Sequence, residues 1–254
     1  MPSSTWTRDV LTSSSITLHG RLWRMVEAQS QISTMKLTDS LEEQATLENL
    51  IEESKPKVPE DCRHLSYLLL TPFRYTPYPY NSGFRRAGSA DGVFYASEAS
   101  ETAAAETAFY RLLFFAESPD TPWPGNPSEF TAFAVDIATK KAIDLMREPL
   151  VKDRALWMQL SDYEACFDLA DTARAAALEA IRYQSVRDPQ ARANIAILSC
   201  RAFAANDVVD RQTWHLHFGD NGIRATCEAP KLALPFGRAA FAADPRLASF
   251  RWNR

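Results

Sequence analysis

An α+β domain is what this sequence predicts, and three observations predict it. Short apolar or alternating runs, "GVFYAS", "FTAFAVDIA", "NIAILS" and "TWHLHF", read as strands. Among them lie segments of helical spacing and composition, the clearest being "SETAAAETAFYRLLFFA". The two kinds of segment do not follow the regular strand–helix–strand order of a parallel sheet, which favours mixed layers over a doubly wound fold. With 254 residues, 46% of them hydrophobic, the chain can bury a substantial core.

The elements follow in order. Residues 1–20, "MPSSTWTRDVLTSSSITLHG", are rich in Ser and Thr without sustained periodicity and read as a loosely held lead-in. A strand is expected around "RLWRMVEA". From Thr38 to Glu53, Leu41, Leu47, Leu50 and Ile51 recur at helical spacing among acids, with Asp39 and Glu42 in capping-box positions. Pro56 and Pro59 follow this amphipathic helix. "LSYLLLTPF" reads as a buried strand broken by Pro72, and Thr76 to Gly92 as a loop rich in Pro, Tyr and Gly.

"GVFYAS" then leads into a helix reaching about Ala116, with Ser97 or Ser100 placed to cap it. "SPDTPWPGNPS" must be loop, and "FTAFAVDIA" a strand. Residues 150–170 are mixed, and "DTARAAALEAIRY" from Asp171 is helical on propensity. "NIAILS" and "TWHLHF" are strands, and the segment after Glu228 shows little regular pattern. This divides the chain into a lead-in (1–20), a main domain (21–228) carrying an inserted helix (38–53), and a tail (229–254).

A net charge of −4 removes the general attraction on which non-specific nucleic-acid binding relies. No apolar run approaches the roughly 18–20 residues a membrane helix needs, and the first thirty residues lack a secretory pattern, so a cytoplasmic protein is expected. Cys62, Cys166, Cys200 and Cys227 form no CxxC pair; they are expected to be reduced, mostly buried thiols, and no zinc site is expected. His215 and His217 lie two apart on one strand face, either ligating a metal or lining a polar surface.

Chemistry is concentrated between Pro72 and Glu117. On the Ala-rich helix, Glu106 shares a side with Ala103, Phe109, Tyr110 and Leu113. A carboxylate among such neighbours must be paired or line a cavity, because desolvating a charge is costly. Alternatively, it is an exposed helical acid, or a partner for Arg111 or Arg86. Upstream, Arg74, Arg85 and Arg86 stand among Gly83, Gly88 and Gly92, a composition suited to a phosphate or diphosphate and equally to solvated surface. Tyr95 stacks on a ring or belongs to the core. In "RYQSVRDPQARANIAIL", Ser185 ends one strand and Asn194 opens another. Without a GxSxG elbow or a histidine partner, Ser185 reads as a residue that hydrogen-bonds a ligand, or as a plain turn serine, rather than as a nucleophile. Neither a Walker A loop nor a Rossmann glycine fingerprint is present.

Together these fragments resemble the RES domain, the toxin component of RES/Xre toxin–antitoxin systems. The resemblance starts near "GRLWRMVE", where Arg24 looks like the family's early arginine. It is strongest from "PFRYTPYPYNSGFRRAGSADGVFYASEASETAAAETAFYRLLFF", with Tyr95 and Glu106, and resumes at "YQSVRDPQARANIAIL", with Ser185 and Asn194. It covers roughly residues 20–220 and implies a fold similar to ADP-ribosyltransferase toxins. The implied activity is consumption of NAD+, with phosphate, water or a protein as acceptor, and no metal. By resemblance, Glu106 stabilises the cationic ribose, Arg24 and Ser185 complete the catalytic set, and Tyr95, Arg74, Arg85, Arg86 and Asn194 bind NAD+. The implied partner is an Xre-type antitoxin, docked on helix 38–53 unless that helix serves domain packing. One departure stands out: "SGFRR" places Gly83 where the family loop carries arginine, which keeps a catalytically silent binding module as an alternative.

Overall fold

The computed structural model describes residues 6–28, 34, 37–74 and 79–253; residues 1–5 of the lead-in, 76–78 of the loop and the last tail residue lie outside them. In chain order the elements are α1 (Arg8–Ser13), β1 (Ile16–Glu27), α2 (Leu41–Ser54), α3 (Tyr67–Arg74), β2 (Phe94–Ser97), α4 (Ser100–Glu117), β3 (Ser128–Asp144), α5 (Arg154–Trp157), α6 (Glu164–Ala175), β4 (Ala180–Gln184), β5 (Ala193–Ile197), β6 (Asp210–Gly219), β7 (Gly222–Cys227) and β8 (Leu232–Gly237). The mixed α+β class is as the sequence predicts.

Among the described residues the strands form one sheet in the order β1-β2-β5-β4-β3-β6-β7-β8, with β1 pairing β3 as well. The first five strands therefore close into a ring. Length makes this possible: β3 has 17 residues, and its first half pairs with β6 while its last three residues run parallel to β4. Closure removes two sheet edges that would otherwise be open to pairing.

Helix α4 seats against β1 and the β6–β8 extension. Ala104, Ala105 and Ala108 are fully buried and bring the helix axis close, while Phe109, Leu112 and Phe115 fill the space between. A second core lies between α3 and the faces of β1, β2, β3 and β5, and a third gathers α1, α6, β4 and β5.

Several expectations are corrected. "LSYLLLTPF" is helical: Leu65, Leu69, Leu70 and Phe73 are buried, a spacing that places one helical face on the sheet, and Pro72 is tolerated within α3. The segment from Asp171 splits, because the helix ends at Ala175 and Ala180 onward joins the sheet. Ala177 makes the turn at φ 54, with Leu178 N–H donating to the Ala173 carbonyl. Alanine's helix preference is worth too little to outweigh strand pairing. The cap of α2 lies one residue on: Glu43 N–H donates to Ser40 Oγ at 3.1 Å and Asp39 N–H to Glu43 Oε2 at 2.9 Å. Its apolar stripe faces outward, with Leu41 81% and Leu50 58% exposed, so it is not a packing face.

The described parts of the lead-in and of the tail are more regular than expected. Leu11 of α1 is fully buried and β1 already begins at Ile16. In the tail, β8 pairs with β7, and Phe236, Phe241 and Leu247 enter the core beside α4. Cys62 and Cys200 are not thiols but a disulfide, with Cα atoms 5.3 Å apart, whereas Cys166 and Cys227 are free and buried. A pairing between residues 138 apart in sequence is set by tertiary contact and leaves no local spacing signal. On β6, Trp214, Leu216 and Phe218 point inward and His215 and His217 lie on the opposite face; no cluster of metal-ligating groups occurs among the described residues.

Candidate active site

Sheet register assembles the site. Ser97 of β2 stands opposite Asn194 of β5, which stands opposite Tyr183 of β4, so residues far apart in sequence form one row across three strands. Tyr95, two residues before Ser97, shares its face. Trp23 continues the row on β1; its neighbour Arg24 points to the other side of the strand, with its guanidinium 4.9 Å from the Phe94 ring centroid and its Nη1 donating to the Tyr95 backbone carbonyl at 3.0 Å.

Between β4 and β5 the chain makes a hairpin with an eight-residue loop whose first residue is Ser185. Its N–H donates to the Arg192 carbonyl, and its Oγ accepts from the N–H groups of Arg187 (3.1 Å) and Asp188 (3.0 Å). Asp188 is the hub. One of its oxygens accepts from Gln190 N–H at 3.0 Å; the other accepts from Thr102 Oγ1 at 2.7 Å and Arg192 Nε at 2.6 Å. Arg192 also reaches Glu101 at 3.2 Å. Since Glu101 and Thr102 lie in the first turn of α4, the hairpin is pinned to the helix one turn before Glu106.

Glu106 thereby meets its partners. Oε1 accepts from Ser185 Oγ at 2.7 Å and from Asn194 Nδ2 at 2.6 Å, and Ser97 Oγ donates to Asn194 Oδ1 at 2.7 Å. Burial pushes the Glu106 carboxyl above the ordinary carboxylate range, against the lowering effects of those two hydrogen bonds and of the Arg187 charge, while Asp188 adds to the rise. The phenol of Tyr183 is raised by burial first and by the Glu106 charge second. Tyr110, one turn beyond Glu106, is 51% exposed.

Arg187 lies beneath this group, its guanidinium 3.7 Å from the Phe109 ring centroid and 2.8 Å from Asp244. Asp244, almost wholly buried, also accepts from Arg246. The tail thus supplies the counter-charge behind the site.

Not every residue singled out by sequence joins this group. Glu106, Ser185 and Asn194 are in direct contact. Arg74 is removed from it, bonded to Glu52 and to the Pro56 carbonyl. Arg86 is likewise committed elsewhere, to Glu164, Asp168 and Asp171 on or beside the face of α6. Arg85 stays near Tyr95, where its charge acts on the phenol. The Tyr95 hydroxyl is engaged by backbone: it donates to the Ser82 carbonyl at 2.6 Å and accepts from Phe84 N–H at 2.9 Å.

That contact explains Gly83. The 82–85 turn folds over the phenol with Gly83 at φ 44, where a Cβ would stand 3.1 Å from the Tyr95 hydroxyl oxygen. The glycine is a steric requirement of a turn closed on tyrosine. Gly92 serves packing as well, since a Cβ there would collide with the Pro72 carbonyl. Ser97, expected with Ser100 as a candidate cap of α4, is instead bonded to Asn194, and the N-cap position is Ala99 without a side-chain cap; sequence reasoning did not find Thr102, Tyr183, Arg187 or Asp188. The available signal was proximity: Ser97 follows Tyr95 by two residues, and Arg187 and Asp188 follow Ser185 directly.

A model of the RES domain matches residues 58–219. The chain belongs to the RES domain family. Glu106, Tyr95, Ser185 and Asn194 fall within the RES match, whereas Arg24 precedes it and enters through β1. Solved structures that resemble this RES protein include a chain from the crystal structure of the M. tuberculosis MbcT-MbcA toxin-antitoxin complex, at 8% identity and a TM-score of 0.45, covering 82% of this chain and 92% of that one. No curated protein matches the sequence. No helix among the described residues is long and apolar enough to cross a membrane.

Proposed function

We propose that this RES protein is a toxin that degrades NAD+ by breaking the nicotinamide–ribose bond, transferring the ADP-ribosyl unit to phosphate or water. The observation that carries the proposal is the Glu106 carboxylate, held by Ser185 and Asn194 in a partly buried setting beside Tyr183. When the C–N bond breaks, its electron pair leaves with nicotinamide, which departs neutral, and positive charge develops at the anomeric carbon and ring oxygen. A fixed carboxylate in a poorly solvated place stabilises that charge more than water does. An oxygen of phosphate or water then forms the new bond. The reaction supplies its own leaving group, so the scheme calls for no metal.

In this reading the diphosphate is held by Arg24 and Arg85, which lie by the backbone and the phenol of Tyr95 respectively. An Xre-type antitoxin is the proposed partner. Tyr110 and Phe114, 51% and 45% exposed and one and two turns beyond Glu106, offer an apolar surface next to the site, and the open stripe of α2 offers another.

The test is incubation of the purified protein with NAD+, with and without phosphate, while nicotinamide and ADP-ribosyl products are quantified. Nicotinamide release that Glu106→Gln lowers by about 10²–10³-fold supports the proposal. Label transferred from NAD+ to a protein would replace it with protein ADP-ribosylation, and NAD+ left intact by folded protein would leave a binding module. Growth arrest on expression, relieved by the same substitution, tests the toxin role.

A further inference from the structure

Ser185 and Asn194 are arranged to act on Glu106 rather than on a ligand. Ser185 is 2% exposed and Asn194 4%, too little surface for either to touch a bound molecule. A hydroxyl has one proton and two lone pairs. Both lone pairs of Ser185 face backbone N–H groups, from Arg187 and Asp188, so its proton is directed at Glu106 Oε1. A serine so occupied has no electron pair for attack on a substrate.

Asn194 is oriented by the same logic. Ser97 donates to its Oδ1, which turns the amide nitrogen toward Glu106. Two donors thus converge on Oε1, and Oε2 accepts no hydrogen bond from any described residue. A proton bound by Glu106 must sit on Oε2, because Oε1 already faces two donated hydrogens.

We propose that Ser185 and Asn194 are positioning residues: with Ser97 and the Asp188 hairpin behind them, they fix the Glu106 side chain, occupy Oε1, and leave Oε2 as the oxygen that meets the ligand. This deepens the NAD+ reading and rests on it for the ligand's identity, but the clamp itself is a property of the free protein. The charged and titratable groups around Glu106 are Arg187 and Asp188 from the hairpin, Tyr110 from its own helix and Tyr183 from β4.

The experiment follows the Glu106 carboxyl by carbon-13 NMR over a pH titration of the full chain without NAD+, assigned by the loss of its signal in Glu106→Gln. Removing a hydrogen bond donated to the charged form favours the proton. Ser185→Ala is therefore expected to raise the proton affinity of Glu106 about tenfold, at the low end of what a hydrogen bond to a charged group is worth. Ser185→Thr, which keeps the hydroxyl, restores it. If Ser185→Ala does not fold, Ser97→Ala tests the same chain one bond further back, with a smaller change in the same direction. A Glu106 titration unchanged in a folded variant overturns the proposal. So does a turnover loss confined to KM, the pattern of a residue that touches ligand. Because the titration is read without substrate, intact NAD+ in the enzyme assay would refute the proposed reaction and leave the clamp standing.

Discussion

Glu106→Gln separates what the carboxylate does for the reaction from what it does to the fold. Glutamine has the same shape, and its carbonyl can take the place of Oε1 before Ser185 and Asn194. What disappears is the charge at the second oxygen. Loss of one preorganised electrostatic group costs about 3–4 kcal/mol of barrier, so nicotinamide release should fall by about 10²–10³-fold. Stability should move the other way. Burial holds the folded-state proton affinity of Glu106 above that of the unfolded chain, whose reference carboxyl titrates near 4.5. The folded protein then binds the proton more strongly, and wild-type stability declines as pH rises from that reference value through the raised folded value, levelling off above it. Glutamine has no such dependence. The difference is small near pH 4 and full at neutral pH. Because the residue keeps some solvent contact and two hydrogen bonds, we expect about 1 kcal/mol, or about 2–4 °C in Tm for a chain of this size. Thermal melts of both proteins between pH 4 and 8 read it directly. A variant less stable than wild type at neutral pH, with the same pH slope, would refute the burial argument.

Four further outcomes follow from the fold. Gly83→Ala places a methyl against the Tyr95 hydroxyl in a left-handed backbone and should cost about 1–2 kcal/mol by urea denaturation. Asp244→Asn takes the counter-charge from the buried Arg187 and should destabilise by about 3–5 kcal/mol, seen as a lower urea midpoint. Reduction of Cys62–Cys200, which joins residues 138 apart, should lower stability by about 2–5 kcal/mol, measured by melts with and without reductant. Ala177→Gly relieves a positive φ and should stabilise by about 0.5–1 kcal/mol in the same assay.

The chemistry was more legible than the scaffold that aims it. Glu106 could be found because an acid on an apolar helical side needs partners; Ser185 and Asn194 stood out as polar residues at strand ends and by resemblance, but as contacts of a ligand rather than as the partners of Glu106. Their neighbours were not legible for a specific reason. Ser97 meets Asn194 through the β2–β5 register, and Thr102 meets Asp188 across 86 residues. No local pattern encodes such pairings. The arginines failed for the converse reason: a loop rich in Arg and Gly looks the same whether it faces phosphate or the acids of a helix packed beside it. Arg86 went to Glu164, Asp168 and Asp171. The apolar run before Pro72 was ambiguous between strand and helix because it is too short for periodicity to decide.

Arg187 shows why the tail matters to the site. Its charge lowers the proton affinity of Glu106, and on its own it would also draw the carboxylate toward itself and away from a ligand. Asp244, which it shares with Arg246, lies 2.8 Å from that guanidinium and Phe109 covers its face, so part of the positive charge is balanced within the core. The groups that bond Glu106 directly are two neutral donors. A carboxylate held by neutral hydrogen bonds keeps its charge available to a developing cation, whereas one locked in a direct ion pair has much of that charge already compensated. By this argument the residues after β8, which in sequence look like a trailing segment, help to set how strongly Glu106 can act.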